Sequence, residues 1–330
     1  SDPSREETRM KGYAGKILRV NLSTGKVEKE TLTEQFARQF LGGKGFGGKI
    51  LYDEVPPGTD PFSPDNRIIL SNGPLTGTGA FAPKCSFVTK SPLTGGWLDC
   101  MLGGFVGSEM KFAGYDILVL SGRAPEPVYL HIRDEHVELL KANRLWGKTT
   151  HETEFMIKEE LGDRKTKVAS IGPAGENRVR FACVTGDLYR QAGRGGIGAV
   201  FGAKNLKAIA VRGNGKAVLA DRDRFLQHTR ELSKALKQSG ETMTTYGTMW
   251  LVDPMNDYGM LPTRNFQQAV FEGVRKINAD KLVKNLKTKD VGCYGCGLRC
   301  SNFVEVKRSE FGPFKLEGPE YETTCLLGSN

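Results

Sequence analysis

Three cysteines late in the sequence stand at a spacing that is typical of iron–sulfur proteins. The run Cys293-Tyr-Gly-Cys296-Gly-Leu-Arg-Cys300 presents its thiols as C-x2-C-x3-C on one short, glycine-containing segment. Such clusters usually take four cysteine thiolates, so this run would supply three of the four. No fourth cysteine follows at an obvious spacing. The sequence therefore predicts a redox centre whose ligand set is completed elsewhere.

Other interpretations of the three thiols are weaker. A structural zinc site uses four Cys or His ligands, typically as two pairs, and the sequence has no second pair. A thioredoxin-like motif is a lone C-x-x-C, and radical enzymes that cleave S-adenosylmethionine use the reverse order, C-x3-C-x2-C. Zinc and simple packing of small apolar thiols stay open as alternatives. For the cysteines that stand singly, packing is the expectation: Cys85, Cys100, Cys183 and Cys325.

Glycine-rich segments form a second group with chemical potential. The chain has 41 glycines in 330 residues, well above the usual ~7%. Three stretches, residues 41–49, 102–107 and 189–198, could direct backbone N–H groups at an anion. Arg190 and Arg194 add fork-shaped donors suited to phosphate oxygens. None of the stretches matches a P-loop or a dinucleotide fingerprint, so they predict a phosphate-bearing cofactor of another kind, with turns that serve only the fold as the alternative.

Composition limits the class of protein. Hydrophobic residues make up 38% and charged residues 26%, which is ordinary for a globular protein. No apolar run approaches the ~18 residues that cross a bilayer, and no signal peptide is visible, so we expect a cytoplasmic protein without a membrane partner. The net charge of +9 is dispersed, and no aromatic-studded basic element favours nucleic acid. The polar residues 1–11 are expected to form a disordered leader.

The elements that must position these groups are mostly strands. Alternating apolar and polar residues predict hairpins at 16–22 with 26–30 and at 128–132 with 137–140. Further strands are expected at 68–70, 86–89, 117–120, 167–171, 181–184 and 208–211. Helices are predicted at 34–40 and at 150–161, where Thr149 and Glu152 fit a capping box. Runs of strands with few helices indicate an α+β fold with two mostly antiparallel sheets.

The pattern changes after residue 213. Residues 221–237 form an amphipathic helix with Phe225, Leu232 and Leu236 on one stripe, and a second helix is predicted at 279–286. We therefore expect a β-rich cofactor-binding domain over 12–213 and a partial, mainly helical domain over 214–330 that carries the cysteines. Most of that second domain is expected to be missing from this chain.

These motifs together resemble the tungsten-containing aldehyde:ferredoxin oxidoreductases. The resemblance runs from about Gly12 to Asn330 and includes the cysteine triplet. It also rests on seven short segments: GPLTGT (73–78), TKSPLTG (89–95), KFAGYD (111–116), IGPAGEN (171–177), AGRGGIG (192–198), KNLKA (204–208) and EGPEYE (317–322).

The resemblance implies a tungsten atom held by two pterin cofactors, with a four-iron four-sulfur (4Fe-4S) cluster nearby. Cys293, Cys296 and Cys300 match three cluster ligands. The sequence does not distinguish tungsten from molybdenum. The implied fold is a two-sheet base beneath the pterins, covered by helical domains.

The resemblance also places pterin and magnesium contacts. Arg190, Gln191 and Gly193 match the segment that holds pterin phosphate, with Arg194 as a further donor. A bridging Mg²⁺ would take the backbone carbonyls of Gln191 and Met101. The latter lies beside Gly103 and Gly104. Lys84 stands where the family can carry an arginine that links cluster and pterin, and lysine lacks the bidentate fork of arginine.

The implied reaction oxidises a small aldehyde to a carboxylate and passes electrons to ferredoxin. Glu322 matches an acidic residue placed for proton transfer, and Glu320 is the fallback if the loop register differs. The basic surface would suit an acidic ferredoxin. Two alternatives are an aromatic acyl-CoA reductase-type subunit and a non-catalytic iron–sulfur electron carrier. The pattern is compatible with a homodimer or another oligomer.

Overall fold

The computed structural model describes residues 10–330. Contacts divide the chain into two compact units, with the boundary between Arg222 and Asp223. Residues 1–9 of the predicted leader lie outside the described residues. Met10 is half-buried and packs against the core beside Tyr13.

The first sheet of the first unit has six strands in the order β2-β1-β6-β3-β4-β5. All its pairings are antiparallel except β1 with β6. Its strands are β1 (Lys16–Asn21), β2 (Val27–Thr31), β3 (Ile68–Ser71), β4 (Cys85–Lys90), β5 (Trp97–Leu102) and β6 (Ile117–Ser121).

The second sheet has six strands in the order β11-β10-β9-β12-β7-β8, and only β12 with β7 is parallel among its pairings in the described chain. Its strands are β7 (Val128–Arg133), β8 (His136–Lys141), β9 (Lys167–Ser170), β10 (Val184–Gly186), β11 (Arg190–Ala192) and β12 (Leu206–Arg212). The predicted α+β class with two mostly antiparallel sheets is confirmed.

The main core lies between these two sheets. Leu18 and Phe87 from the first sheet belong to the same buried cluster as Leu130 and Ile209 from the second. The strand alternation explains the layering, because Ile69 points to the opposite face and packs under a helix. Successive residues of one strand therefore bury against a sheet on one side and a helix on the other.

Helices pack on the outer faces of the two sheets, and two further helices contribute Val106, Met110, Ile197 and Phe201 to the core between them. The predicted helices are present as Glu34–Phe40 and Thr150–Glu160, and the capping box between Thr149 and Glu152 is formed. The other helices of this unit are Lys44–Glu54, Val106–Phe112, Pro173–Glu176 and Ile197–Ala203, with a 3₁₀ turn at Asn143–Leu145.

The structure differs from the sequence-based prediction in two segments of this unit. The strand expected at 181–184 begins only at Val184, and Phe181 is exposed. Residues 41–49, predicted as an anion-binding turn, run into the helix Lys44–Glu54. A Cβ on Gly45 would lie 2.2 Å from the Phe40 carbonyl oxygen, and one on Gly47 would lie 2.4 Å from a Val88 methyl carbon. These glycines therefore serve close packing.

Buried lysines stabilise the connections of the first unit. The ammonium group of Lys111 donates to the carbonyl oxygens of Gly12 (2.8 Å) and Gly73 (2.6 Å). The ammonium group of Lys204 donates to the carbonyl oxygens of Pro64 and Gly122. Burial lowers the pKa of Lys204 to about 7. Two lysines in family-like segments thus satisfy buried carbonyl groups that strands leave unpaired.

The second unit combines short helices with a small sheet. The predicted helices are present as Arg222–Ser239 and Ala279–Asn285; the first of these buries no residue. The sequence did not reveal an antiparallel sheet of β13 (Lys287–Val291), β14 (Ser301–Val306) and β15 (Phe314–Glu317). Further short elements are Glu241–Tyr246, Gly247–Leu251, Val252–Asp257, Val274–Lys276, Tyr321–Thr323 and Thr324–Gly328.

Within residues 10–330, no helix has the length and apolar character needed to span a membrane.

Candidate functional site

The structure brings two of the three glycine stretches together. The backbone N–H of Arg194 donates to Cys100 Sγ at 3.2 Å, which ties the segment after β11 to β5. A Cβ on Gly195 would lie 2.4 Å from a methyl carbon of Leu98, and one on Gly104 would lie 3.1 Å from Arg190 Cγ. We call residues 101–104 and 190–194 together the cofactor cradle, because they hold most of the predicted pterin and magnesium contacts.

The cradle presents an open surface. Gln191, Gly193 and Arg194 are exposed, and Met101 is 46% exposed between the buried residues Cys100 and Leu102. The nearest atom to a Cβ built on Gly193 is 3.9 Å away, so this glycine is not required by packing. A glycine that the fold does not need, beside exposed arginine, is consistent with the close approach of an anionic group.

The side chain of Gln191 is fixed by two residues, one directly before β10 and one within β10. Its Oε1 accepts hydrogen bonds from Thr185 Oγ1 at 2.9 Å and from Cys183 Sγ at 3.0 Å. These contacts fix the residue whose backbone carbonyl is a predicted magnesium ligand. Carbonyl oxygens are suitable ligands for this hard cation.

Lys84 lies at the same end of the first sheet. It is exposed and directly precedes β4, where Cys85 pairs with Leu102. Its carbonyl oxygen accepts a hydrogen bond from Thr76 Oγ1 at 3.3 Å. Lys84 therefore lies next to the strand pair that carries Met101.

A carboxylate that the sequence analysis did not select lies directly against the cradle. Asp187 Oδ2 accepts the backbone N–H of Phe105 at 2.6 Å. A Cβ on Gly104 would lie 2.4 Å from the same oxygen. Burial raises the pKa of Asp187 to about 6, opposed by the nearby charge of Lys167. Asp187 lies outside any recognised motif, and its hydrogen-bond partner Phe105 is 82 residues away in the sequence. The sequence alone therefore gave no signal for it.

The predicted iron ligands share one tight loop. Cys293, Cys296 and Cys300 are all half-buried, and the Cys296 N–H donates to the Cys293 carbonyl oxygen at 3.1 Å. A Cβ on Gly292 would lie 3.0 Å from the Cys296 carbonyl oxygen, and one on Gly247 would lie 2.7 Å from that of Cys300. Both glycines thus let the backbone close around the loop.

Across residues 10–330, no group of three or more His, Cys, Asp or Glu side chains is arranged to hold a single metal ion. A zinc ion would require its thiolate sulfurs at about 2.3 Å from one centre. A four-iron cluster is a wider body with thiolates on separate iron atoms, so it does not require its ligands to converge on one point.

The two candidate glutamates differ in their surroundings. Glu320 accepts a hydrogen bond from Thr248 Oγ1 at 2.5 Å on one carboxylate oxygen and from Ser301 Oγ at 3.1 Å on the other. Ser301 directly follows Cys300, so Glu320 lies beside the cysteine loop. Glu322 is exposed on the short helix Tyr321–Thr323. Only Glu320 is thus held in place by hydroxyl groups on both of its oxygens.

The chain is similar to known proteins over most of its length. The family description "Aldehyde ferredoxin oxidoreductase, N-terminal domain" matches residues 17–213, and "Aldehyde ferredoxin oxidoreductase, domains 2 & 3" matches residues 226–330. The chain is 46% identical over 327 residues to the tungsten-containing aldehyde ferredoxin oxidoreductase of Pyrococcus abyssi and 42% identical over 325 residues to that of Pyrococcus furiosus. Each match covers 97% of this chain and 53% of the relative.

A more distant relative is the "Aliphatic sulfonate oxidoreductase, WOR-like subunit" of Pyrococcus furiosus, 34% identical over 346 residues. The match covers 97% of this chain and 54% of the relative. A solved structure, the active site complex BamBC of benzoyl coenzyme A reductase with 1,5-dienoyl-CoA, matches with a TM-score of 0.80 at 32% identity. It covers 93% of this chain and 49% of the other. The chain spans about half the length of the curated relatives it matches, and it belongs to the aldehyde ferredoxin oxidoreductase family.

Proposed function

We propose that the protein oxidises small aldehydes to carboxylates with ferredoxin as electron acceptor, using tungsten bound by two pterins. The observation that carries this proposal is the 46% identity over nearly the whole chain to a tungsten-containing aldehyde ferredoxin oxidoreductase. We extend it to a cytoplasmic protein whose residues 12–213 bind the pterins and whose residues 214–330 contribute a 4Fe-4S cluster. Molybdenum in place of tungsten and a homodimer or other oligomer are compatible with it.

The cofactor cradle would hold the pterin phosphates. The backbone of Gly193 and the guanidinium group of Arg194 are donors on an exposed surface, and the half-buried Arg190 adds a second guanidinium group. The carbonyl oxygens of Met101 and Gln191 would bind Mg²⁺, which offsets the charge of the phosphates. The residues present fit these groups, since Gly193 leaves open space that a side chain would fill.

The cysteine loop would hold three corners of the cluster. Cys293, Cys296 and Cys300 are half-buried and free of disulfides, which suits thiolates that bind iron and remain accessible to an electron acceptor. Lys84 is the proposed link between cluster and pterin. Free thiols at all seven cysteines support a reducing compartment. The net charge of +9 favours an acidic partner such as ferredoxin.

Aldehyde oxidation adds an oxygen atom from water and releases two electrons and three protons, so it needs a proton acceptor near the reacting carbon. The bound tungsten would supply the two-electron redox chemistry. Of the two glutamates, Glu320 is better suited to accept a proton, because Thr248 and Ser301 fix the direction of its carboxylate. Glu322, the acidic residue favoured by sequence, is the second candidate.

The test is a kinetic assay on the whole protein purified without oxygen. We expect reduction of ferredoxin that depends on an added aldehyde and yields the matching carboxylate. If a series of aliphatic and aromatic aldehydes gives no reduction in protein that contains tungsten and iron, the proposed activity is wrong.

The same assay addresses a second candidate function. The 32% identity and TM-score of 0.80 to the benzoyl coenzyme A reductase complex favour an aromatic acyl-CoA reductase-type subunit as the alternative. Reduction of an aromatic thioester by reduced ferredoxin, without aldehyde oxidation, would support it. Protein with iron and sulfide but neither tungsten nor pterin would instead indicate a simple electron carrier.

A further inference from the structure

The chain just before the second half of the cradle has an unusual backbone. Asp187 and Leu188 both have positive φ angles, 50° and 66°, although neither is glycine. Such a conformation is energetically unfavourable for a residue with a side chain and persists only where its surroundings hold it. Two in succession therefore point to a turn whose shape matters.

Side chains of the helix Thr150–Glu160 bind the backbone of this turn. Glu154 Oε2 accepts the N–H of Leu188 at 2.9 Å, and His151 Nε2 lies at hydrogen-bond distance, 2.9 Å, from the Leu188 carbonyl oxygen. Glu154 is buried and pairs with Lys158 one helical turn later. The His151 ring also meets the Tyr189 ring edge-on, with centroids 5.1 Å apart. Both polar groups of one backbone residue are thus fixed from the same helix.

The side chain of Asp187 extends the contact to the first half of the cradle. Its Oδ2 accepts the Phe105 N–H and leaves no room for a side chain on Gly104. Lys167 Nζ lies 3.7 Å from its Oδ1 and 4.4 Å from the centre of the Phe105 ring. The carboxylate therefore joins two segments that are 82 residues apart in sequence.

We propose that Asp187 is a positioning residue that locks residues 101–104 against residues 190–194, so that the two segments bind pterin phosphate as one site. This inference rests on the proposed function. Asp187 acts through the backbone of Gly104 and Phe105, because its carboxylate accepts hydrogen bonds and would repel a phosphate. A hydrogen bond to an ionised acceptor is stronger than a neutral one, which suits a contact that must hold a glycine turn.

The experiment compares Asp187→Leu with Asp187→Asn in the whole protein, purified without oxygen. Leucine has the same branched shape with a larger volume and cannot accept the Phe105 N–H, whereas asparagine matches aspartate in size and keeps one carbonyl oxygen for it. We expect the leucine variant to lose pterin about tenfold or more, as is typical when residues behind a ligand shell are removed, and asparagine to restore most of it. The readout is the ratio of pterin to iron per chain, because general misfolding would lower both.

A matched control is Asp116→Leu. Asp116 is a buried aspartate that, like Asp187, accepts a backbone N–H, that of Gly15 at 2.7 Å, and lies 3.5 Å from a lysine, Lys111. This variant should lower thermal stability and leave the pterin-to-iron ratio of the folded protein unchanged. An Asp187→Leu protein with the wild-type ratio, or a loss of the same size in the Asp116 variant, would overturn the inference.

If Asp187→Leu does not fold, the pterin-to-iron ratio of an Asp187→Ser variant provides the test. Serine is smaller and too short to reach the Phe105 amide, so pterin should still be lost; a wild-type ratio would contradict the inference. Wild-type protein that itself lacks pterin and tungsten would contradict the proposed function. A loaded wild type with equally loaded variants would contradict only the role of Asp187.

Discussion

The cofactor cradle of the first unit and the cysteine loop of the second are held by different kinds of contact. The cradle depends on side chains from distant parts of the sequence. The carboxylate of Asp187 accepts the Phe105 N–H, and the hydroxyl of Ser91 donates to the Gly195 carbonyl oxygen at 2.7 Å. The cysteine loop is closed by a hydrogen bond of its own backbone, from the Cys296 N–H to the Cys293 carbonyl oxygen, and Gly247 allows the backbone to approach Cys300 closely. Thr244 adds one hydroxyl bond to the Leu298 carbonyl oxygen at 2.7 Å.

This difference suggests a division of roles. A cluster bonds covalently to its thiolates and can order a short loop by itself. A phosphate site made of backbone N–H groups must be built before the ligand arrives, because each contact is weak unless its geometry is fixed in advance. The cradle therefore needs a packed core beneath it, whereas the cysteine loop needs mainly the correct spacing.

The largest expected effect comes from removing one thiol of the loop. Cys296→Ser in the whole protein should abolish the visible absorption of the cluster and the reduction of ferredoxin, because a serine hydroxyl is a poor replacement for a thiolate. Absorption spectra and iron content measure this. Cys325→Ser is the control. Cys325 is buried and does not belong to the C-x2-C-x3-C run, so this variant should leave the spectrum intact. An unchanged spectrum in the Cys296 variant would exclude this thiol as a ligand.

The next effect separates the two glutamates. Glu320→Gln should lower aldehyde-dependent ferredoxin reduction by about a hundredfold or more, the range typical of a lost proton acceptor. Glu322→Gln should change the rate by less than about threefold, because Glu322 is exposed and Glu320 is anchored by two hydroxyl groups. Steady-state rates at saturating aldehyde measure both. The reverse order of effects would return Glu322 to the role that the sequence assigned to it.

Two glycines of the same stretch should respond in opposite ways. A Cβ on Gly198 would lie 2.3 Å from the Cys183 carbonyl oxygen, so Gly198→Ala should destabilise the fold by about 3 kcal/mol. The methyl group of Gly193→Ala would make only an ordinary contact, 3.9 Å from Gln191 Cβ, so this change should alter stability by less than about 0.5 kcal/mol, yet reduce pterin content. Denaturant unfolding and pterin analysis test the pair. Full pterin in the Gly193 variant would remove this residue from the cradle.

The smallest effect is a pH dependence at Asp187. Burial raises its pKa from 3.8 to about 6, so the folded chain binds this proton more tightly than the unfolded chain between those values. The stability contributed by the group therefore falls as pH rises from about 4 to about 6 and is constant above. Asp187→Asn does not titrate and should gain about 2–3 kcal/mol relative to wild type over that interval.

Unfolding free energies of wild type and the Asp187→Asn variant at both ends of this pH range provide the measurement. The difference between the two proteins isolates this group from others that titrate in the same range. A relative loss of stability in the variant with rising pH would show that the carboxylate is stabilised, not destabilised, by its surroundings.

Local patterns were readable from sequence, and long-range ones were not. The capping box of Thr149 and Glu152 was predictable because both partners lie within one helical turn. Strand β13 was not, because its lysines and aspartate do not alternate with apolar residues. The helix Lys44–Glu54 was missed for another reason: glycine is a poor helix former, and here its small size lets the helix pack on Val88.

In the candidate site, too, the local patterns could be predicted from the sequence and the long-range contacts could not. The cysteine triplet was recognisable from its spacing alone, and the glycine stretches were recognisable as candidates. Their pairing was not, since residues 101–104 and 190–194 meet only in the folded chain. The contact between Asp187 and Phe105 belongs to this second class, and the anchoring of Glu320 by Thr248 does as well.

The central claim is that the glycine cradle holds a pterin-bound heavy metal while the cysteine loop holds iron. Inductively coupled plasma mass spectrometry combined with pterin analysis on the whole, anaerobically purified protein tests it most directly. We expect tungsten at about one atom per chain, accompanied by pterin, phosphorus and cluster iron. Colourless protein that contains neither pterin nor a heavy metal would contradict it.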